Sequence, residues 1–425
     1  MKHYLLLITM FVASYVSAQG ANIVIDKGVD NPTRIAVDNF YYVGPKMSED
    51  IGAIIRNDLN FSGLFESIPP ERLITHPRTE SEIRYHDFKT IKAEYLLIGG
   101  VTEQAGRYSA SYELFDVVQQ KRVLIKTTVE GTDAQLRDVA HKISDKVFET
   151  ITNIRGIFST KIIYVEAFQR PARSRLMLSD FDGARPRQLF ESKQPILSPV
   201  WSPDGTRVAY VSFESSRPAI YVQSLSTGRK EQITNFKGLN GAPAWSPDGQ
   251  KLAMVLSKDD NPEIYTVDLA SRTFTRITNM YAIDTEPSWT IDGTGIFFTS
   301  DRGVRPQIYK VTLATGITER VTFDGDYNAR GRVSPDGKSL VMVNKRPGGT
   351  YQIAAQDLKS GNMRILTETN YDESPTIAPN GAMLMYATNV GGKGILGAAS
   401  LDAKYKVRLP GKQGDVREPA WSPFF

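Results

Sequence analysis

The chain contains no cysteine and only four histidines, His3, His76, His86 and His141. The first absence excludes disulfides, thiolate nucleophiles, zinc–cysteine centres and iron–sulfur clusters. The second leaves everything from Lys161 onward without an imidazole. Chemistry in that half would have to run on carboxylates, hydroxyls, Lys, Arg or backbone. No Gly-x-Ser-x-Gly elbow occurs, and the carboxyl-terminal half lacks the histidine of a hydrolase triad. Gly348-Gly349 and Gly391-Gly392-Lys393-Gly394 lack the spacing of a phosphate loop. His141, on a predicted helix near Asp138 and Asp145, reads as an exposed helical side chain. His76 and His86 fall in a polar segment. Asp259-Asp260 and Asp372-Glu373 are of the type that serves as calcium oxygens or glycosidase acids, but read as solvated loop charge. Enzyme status is therefore not expected. Single-sign charge is also missing: 51 Lys+Arg face 47 Asp+Glu. That balance argues against a protein built to hold nucleic acid or an anionic membrane.

What is present is an ordinary globular composition, 41% apolar and 23% charged over 425 residues, enough for two or three domains. Lys2 and His3 precede the apolar run 4–16, and Val16-Ser17-Ala18 offers small residues at a cleavage site. This is the pattern of a secretory signal peptide, residues 1–18, cleaved after Ala18. A spanning helix needs roughly 20 apolar residues, and Ser14, Ser17, Gln19 and Gly20 interrupt this run. No later stretch is apolar enough to span a bilayer. The mature chain is expected to be exported and soluble, stabilised by packing rather than cross-links.

A repeat dominates the second half. Trp201-Ser202-Pro203-Asp204-Gly205 returns as Trp245-Ser246-Pro247-Asp248-Gly249, Trp289-Thr290-Ile291-Asp292-Gly293, Val333-Ser334-Pro335-Asp336-Gly337 and Ile377-Ala378-Pro379-Asn380-Gly381. A last copy, Trp421-Ser422-Pro423, is cut short, and each step is 44 residues. Asp-Gly and Asn-Gly flanked by apolar alternation signal β-hairpins. Four short strands in each such unit is the arithmetic of a β-propeller blade. Three strands near Ile163, Met177 and Gln188 lack an inner strand, and the last copy lacks outer ones. The two half-blades sum to one, so the carboxyl-terminal strand is expected to close a six-bladed ring beside Ile163, which leaves no exposed sheet edge there. The Trp, Asp and Gly of the turns are read as architecture.

Residues 19–155 do not follow the repeat and read as a smaller α/β domain ahead of a propeller spanning 156–425. Asn22-Ile23-Val24-Ile25-Asp26 and Arg34-Ile35-Ala36-Val37 alternate like strands. Residues 48–65 read as an amphipathic helix capped by Ser48, with Ile51, Ile54, Ile55 and Leu59 on one face. A buried strand follows at 95–99, then two long antiparallel strands over 107–129. A second helix over 133–152 is apolar at Leu136, Val139, Ile143, Val147 and Ile151. Residues 153–159 read as a linker.

In a propeller the loops leading into the inner strands gather at the channel mouth. Here they carry Leu197-Ser198-Pro199, Asn240-Gly241-Ala242-Pro243, Asp284-Thr285-Glu286-Pro287, Asn328-Ala329-Arg330, Asp372-Glu373-Ser374-Pro375 and Arg417-Glu418-Pro419. Five of the six place Pro just before the expected inner strand, where no ladder donor is needed. Tight strand geometry accounts for these residues, but their polar side chains also converge on one funnel, a common form of binding site.

Three features together resemble the TolB family, the periplasmic propeller proteins of the Tol–Pal envelope system. They are the signal peptide, the opening Asn22-Ile23-Val24-Ile25-Asp26-Lys27-Gly28-Val29-Asp30, and the six turns reached through segments such as Asn240-Gly241-Ala242-Pro243-Ala244-Trp245 and Thr285-Glu286-Pro287. The resemblance covers essentially the whole chain. It implies a non-enzymatic component, monomeric within a hetero-complex, that supports outer-membrane constriction in division and envelope integrity. It implies binding of the lipoprotein Pal at the channel mouth, through Asn240, Gly241, Ala242, Thr285, Glu286, Asn328, Arg330, Asp372, Glu373 and Arg417. It implies contact with TolA through Ala21, Asn22, Ile23, Val24, Ile25, Asp26, Lys27, Gly28, Val29 and Asp30. Some bacteriocins exploit the Pal site in this family. Relatives often place a histidine where this chain has Leu239. A propeller hydrolase or lyase acting on envelope glycans or peptides is the rival reading, and a calcium- or sugar-binding propeller a third. No cofactor is expected, save that calcium held in the channel stays open. A short alternating segment at a free end can pair with a sheet edge or be released, so the amino-terminal stretch is expected to switch between docked and free states.

Overall fold

The computed structural model describes residues 24–425 except Val29, Asn370 and Pro410. The expected signal peptide lies outside the described residues. From Lys161 onward the chain forms six blades of antiparallel strands around a channel. Blade 1 combines Lys161–Gln169, Ala172–Asp180 and Arg187–Ser192 with the innermost strand Asp415–Trp421. Blades 2 to 6 begin with the inner strands Ile196–Trp201, Asn240–Trp245, Asp284–Trp289, Tyr327–Val333 and Asp372–Ile377. The ring closes as expected: Ala420 lies opposite Ile163 and Trp421 opposite Ile162.

The turn motif is a small hydrogen-bond machine. Ser202 Oγ donates to Asp204 Oδ1 at 2.5 Å and accepts from the Arg207 amide at 2.9 Å, while the Thr206 amide donates to Asp204 Oδ1. Gly205 takes φ 69°, which only glycine adopts cheaply. Ser246 with Asp248, Thr290 with Asp292 and Ser334 with Asp336 repeat the arrangement. At the seam Ser422 plays the part of Ser202 for a strand 261 residues away, its Oγ accepting from the Lys161 amide at 3.0 Å. Indoles tie blade to blade: Trp201 Nε1 donates to the Ala420 carbonyl, and Trp289 Nε1 to that of Ala244.

The amino-terminal domain is a six-stranded mixed sheet. In it Thr33–Val37 lies parallel to both Phe65–Ile68 and Tyr95–Gln104, and Arg107–Asp116 and Lys121–Thr132 continue it antiparallel. Helices α1 (Ile51–Phe61) and α3 (Leu136–Thr152) cover one face, and the short helix α2 (Tyr85–Thr90) covers the other. The cap of α1 is Asp50, whose Oδ1 accepts from the Ala53 amide at 2.9 Å. Ser48, expected in that role, instead binds Asp133. The strand Val24–Lys27 leaves this domain altogether. It pairs antiparallel with Lys406–Arg408 and becomes the fifth, outermost strand of blade 6.

The two domains share one apolar core, which runs from Ile55, Leu59, Ile143 and Val147 into Ile162, Tyr164, Tyr405 and Val407. Phe61 and Phe181 meet edge-on across the junction with ring centres 4.9 Å apart, worth about 1 kcal/mol beyond area burial. The expected linker is pinned: Asp145 accepts from the Phe158 amide at 2.7 Å and the Ser159 amide at 3.1 Å. His141 is a correction. It is 0% exposed, with Nδ1 2.8 Å from Asp58 Oδ2 and Nε2 3.7 Å from Asp180. Around it Asp180 also meets Arg137, Lys161 and Arg185 at 2.7–3.0 Å, and Arg137 reaches Asp182. Asp58, Asp138, Asp180 and Asp182 thus face Arg137, His141, Lys161 and Arg185 between α1, α3 and blade 1. Charges removed from water are tolerated when paired in this way.

Candidate functional site at the channel mouth

All six inner strands carry a register shift next to a residue in the left-handed region. These residues are Ser198, Ala242, Glu286, Arg330, Ser374 and Glu418, with φ between 46° and 56°. None is glycine, so each holds a sparsely populated conformation that its surroundings must enforce. The same six residues line the cavity at the channel mouth. The prolines Pro199, Pro243, Pro287, Pro375 and Pro419 follow directly, inside the inner strands rather than before them. There a missing N–H falls at the bulge.

Arg330 joins four of these six side chains. Arg330 Nε donates to Glu286 Oε1 at 2.6 Å, its Nη1 donates to Ser374 Oγ, and its Nη2 lies 3.6 Å from Glu418. Glu286 Oε2 accepts from the Arg330 amide and from Thr299 Oγ1, both at 3.1 Å. Glu418 Oε2 accepts from the Ser198 amide at 3.1 Å. Burial works against the charge on Arg330, but Glu418 and Glu286 outweigh it and raise its pKa. Tyr327, half-buried and close to Glu286, is pushed up to about 12.

The residues singled out by sequence divide into two sets. Gly241, Ala242, Thr285, Glu286, Arg330 and Glu373 are partly exposed, and Arg417 is exposed. Asn240, Asn328 and Asp372 are fully buried. Asn240 Nδ2 donates to the Phe236 carbonyl at 2.8 Å, and Asn328 Nδ2 to Gln307 Oε1 at 2.9 Å. Thr369 donates to Asp372, whose pKa burial raises. These three shape the mouth through the loops they pin. Sequence reasoning placed Ser198, Ser374 and Glu418 in the mouth loops but not among the binding residues, although their 44-residue spacing from Ala242, Glu286 and Arg330 was a usable signal. It also missed exposed apolar side chains on the segments that lead into the inner strands. Leu239, Ile283 and Tyr371 occupy one repeat position and are exposed, beside Tyr281 at 84% and Phe323 at 72%.

Ala21, Asn22, Ile23 and Val29 lie outside the described residues. Val24, Ile25, Asp26 and Lys27 form the added strand of blade 6, and Gly28 and Asp30 are exposed beyond it. Among the described residues no group of three or more His, Asp or Glu could hold a metal ion. Nor is any helix among them long and apolar enough to cross a membrane.

Residues 148–425 match the TolB beta propeller domain and residues 21–123 the TolB amino-terminal domain. The chain belongs to the TolB family. It is 56% identical over 414 residues to the Tol-Pal system protein TolB of Pseudomonas aeruginosa, covering 96% of each chain. It is 53% identical over 425 residues to that of Pseudomonas fluorescens, covering 99% of this chain and 98% of the relative. The crystal structure of TolB from Acinetobacter baumannii superposes with a TM-score of 0.88 at 40% identity, covering 95% of this chain and 100% of that one. TolB proteins are non-enzymatic components of the Tol–Pal system.

Proposed function

We propose that the channel mouth captures the peptidoglycan-associated lipoprotein Pal, and that the amino-terminal segment contacts TolA, in the periplasm after cleavage behind Ala18. The observation that carries the reading is the make-up of the mouth. A preorganised polar centre, Glu286–Arg330–Glu418, is reached through entry segments that carry exposed Leu239, Tyr281, Ile283, Phe323 and Tyr371. Desolvated polar groups at the centre give orientation, and aromatic and aliphatic side chains around them supply burial. Bacteriocins that imitate Pal would use the same surface.

Strand addition supports the TolA assignment. Val24–Lys27 is held by backbone pairing at a sheet edge, a mode in which a peptide exchanges one edge for another. Blade 6 also supplies Ser374, which accepts from Arg330 at the mouth. A partner that reorders the mouth would therefore act on the sheet that holds the segment, shifting the docked–free balance. In this way one protein would report outer-membrane capture to an inner-membrane partner during constriction.

The test is calorimetry with the soluble domain of Pal and with the TolA domain. Thr285→Arg should abolish Pal binding and leave TolA binding. Deletion of residues 21–30 should do the reverse. Full-affinity Pal binding by Thr285→Arg would remove Pal from the mouth, and unchanged TolA binding by the deletion would refute the second assignment.

A further inference from the structure

The channel has a second opening, on the side of the Asp-Gly turns. It widens into a cavity of about 520 Å3, well within the range of small-molecule sites. All four tryptophans of the chain, Trp201, Trp245, Trp289 and Trp421, line it. Arg332 lines both this cavity and the mouth on the other side, as Thr376 does. Among the described residues Arg332 is the only charged one in the lining of the turn-side cavity.

Arg332 differs from Arg330 two positions earlier. Arg330 is engaged by two carboxylates and a hydroxyl. Arg332 donates from Nη1 to the Gly331 carbonyl at 3.0 Å, and no ion pair reaches it among the described residues. A guanidinium has five N–H donors, so most of its capacity is unspent. Burial lowers its pKa, and nearby Glu286 and Glu418 only partly offset this. Thr376 lines the same cavity, and its Oγ1 accepts from the Trp421 amide at 3.0 Å, which leaves its hydroxyl hydrogen free to donate. A cation with spare donors at the floor of an aromatic-walled cavity, with no carboxylate in the lining, selects for one ligand chemistry. The turn aspartates Asp204, Asp248, Asp292 and Asp336 stand outside the lining, each hydrogen-bonded into its own turn.

We propose that this cavity is a binding site for a small carboxylate carried on an apolar body. Arg332 and Thr376 hold the carboxylate, and the indole walls hold the rest. Paired donors on a carboxylate are strong in a water-poor setting, and the apolar body gains from burial.

The test uses the intact mature protein and phenylacetate, with phenylacetamide as the neutral analogue of the same shape. Because every tryptophan lines the cavity, intrinsic fluorescence reports it directly. The expected result is a saturable fluorescence change with phenylacetate at about millimolar affinity or tighter, and binding of phenylacetamide at least tenfold weaker. Arg332→Gln should remove the discrimination between acid and amide. Ile291→Asp, at the exposed rim, should weaken phenylacetate severalfold without touching the floor. Thr285→Arg, on the opposite mouth, should leave it unchanged, which separates this site from Pal capture. No saturable change with phenylacetate, or equal affinity for acid and amide in the unmutated protein, overturns the proposal whether or not Arg332→Gln folds.

Discussion

Arg330 of blade 5 donates to Glu286 of blade 4 at 2.6 Å and lies 3.6 Å from Glu418 of blade 1. With its bond to Ser374 of blade 6, this one side chain ties four blades to one another. Glu286→Gln should remove half of its compensation, lowering stability by ~1–3 kcal/mol and Pal affinity at least tenfold. Thr285→Arg, one residue away, should lower affinity more with little change in stability. Chemical denaturation paired with calorimetry separates the two effects.

The charged cluster at the domain junction makes stability depend on pH. Burial disfavours a charged His141, but Asp58 and Asp180 outweigh it and raise its pKa from 6.5 to about 9. The folded state therefore holds the proton more tightly than the unfolded chain. That stabilisation is complete below about pH 6.5 and is lost as pH rises through about 9, up to ~3 kcal/mol in all. Thermal unfolding should show a falling midpoint across this window. In His141→Gln the slope should flatten, with lower stability at pH 6.5.

The junction is also tight enough to reject a methyl group. Gly63 sits at φ 72°, and a Cβ there would lie 2.2 Å from the Tyr405 ring. Gly63→Ala should cost at least about 2 kcal/mol. Tyr405→Phe, losing the hydroxyl that donates to the Asn60 carbonyl at 2.9 Å, should cost about 1 kcal/mol. Urea denaturation of both variants checks the order.

The propeller was legible because its signal is local and repeated. Trp-Ser-Pro-Asp-Gly specifies a turn from five consecutive residues, and 44-residue spacing then fixes blade number and closure. The junction was not legible for the opposite reason. His141 lies between Val139 and Ile143 on a helix whose apolar stripe faces the sheet. A second buried face exists only because Asp58 and Asp180 arrive from distant parts of the chain. The same holds for Val24–Lys27, whose alternation announced a strand but whose partner, Lys406–Arg408, lies at the far end of the sequence. At the mouth, residue types were readable but depth was not. Asn240 and Thr285 look equally available as letters, yet one is locked inward.

The seam offers a fourth prediction. Ser422 Oγ accepts from the Lys161 amide and donates to the Pro423 carbonyl at 2.8 Å. Ser422→Ala orphans a backbone N–H and should cost ~1–2 kcal/mol. Truncation after Gly414 removes the innermost strand of blade 1, and the product should sediment as aggregate rather than monomer.

That seam also sets an order of events. Three strands of blade 1 are made early and must wait for Asp415–Trp421, the last strand of the chain, before their sheet is whole. Contacts so distant along the polymer form slowly, because loop closure precedes their reward. Until then the nascent ring is a crescent with a bare edge. Loss of Asp415–Trp421 should thus harm folding far more than loss of Val24–Lys27, which only edges blade 6.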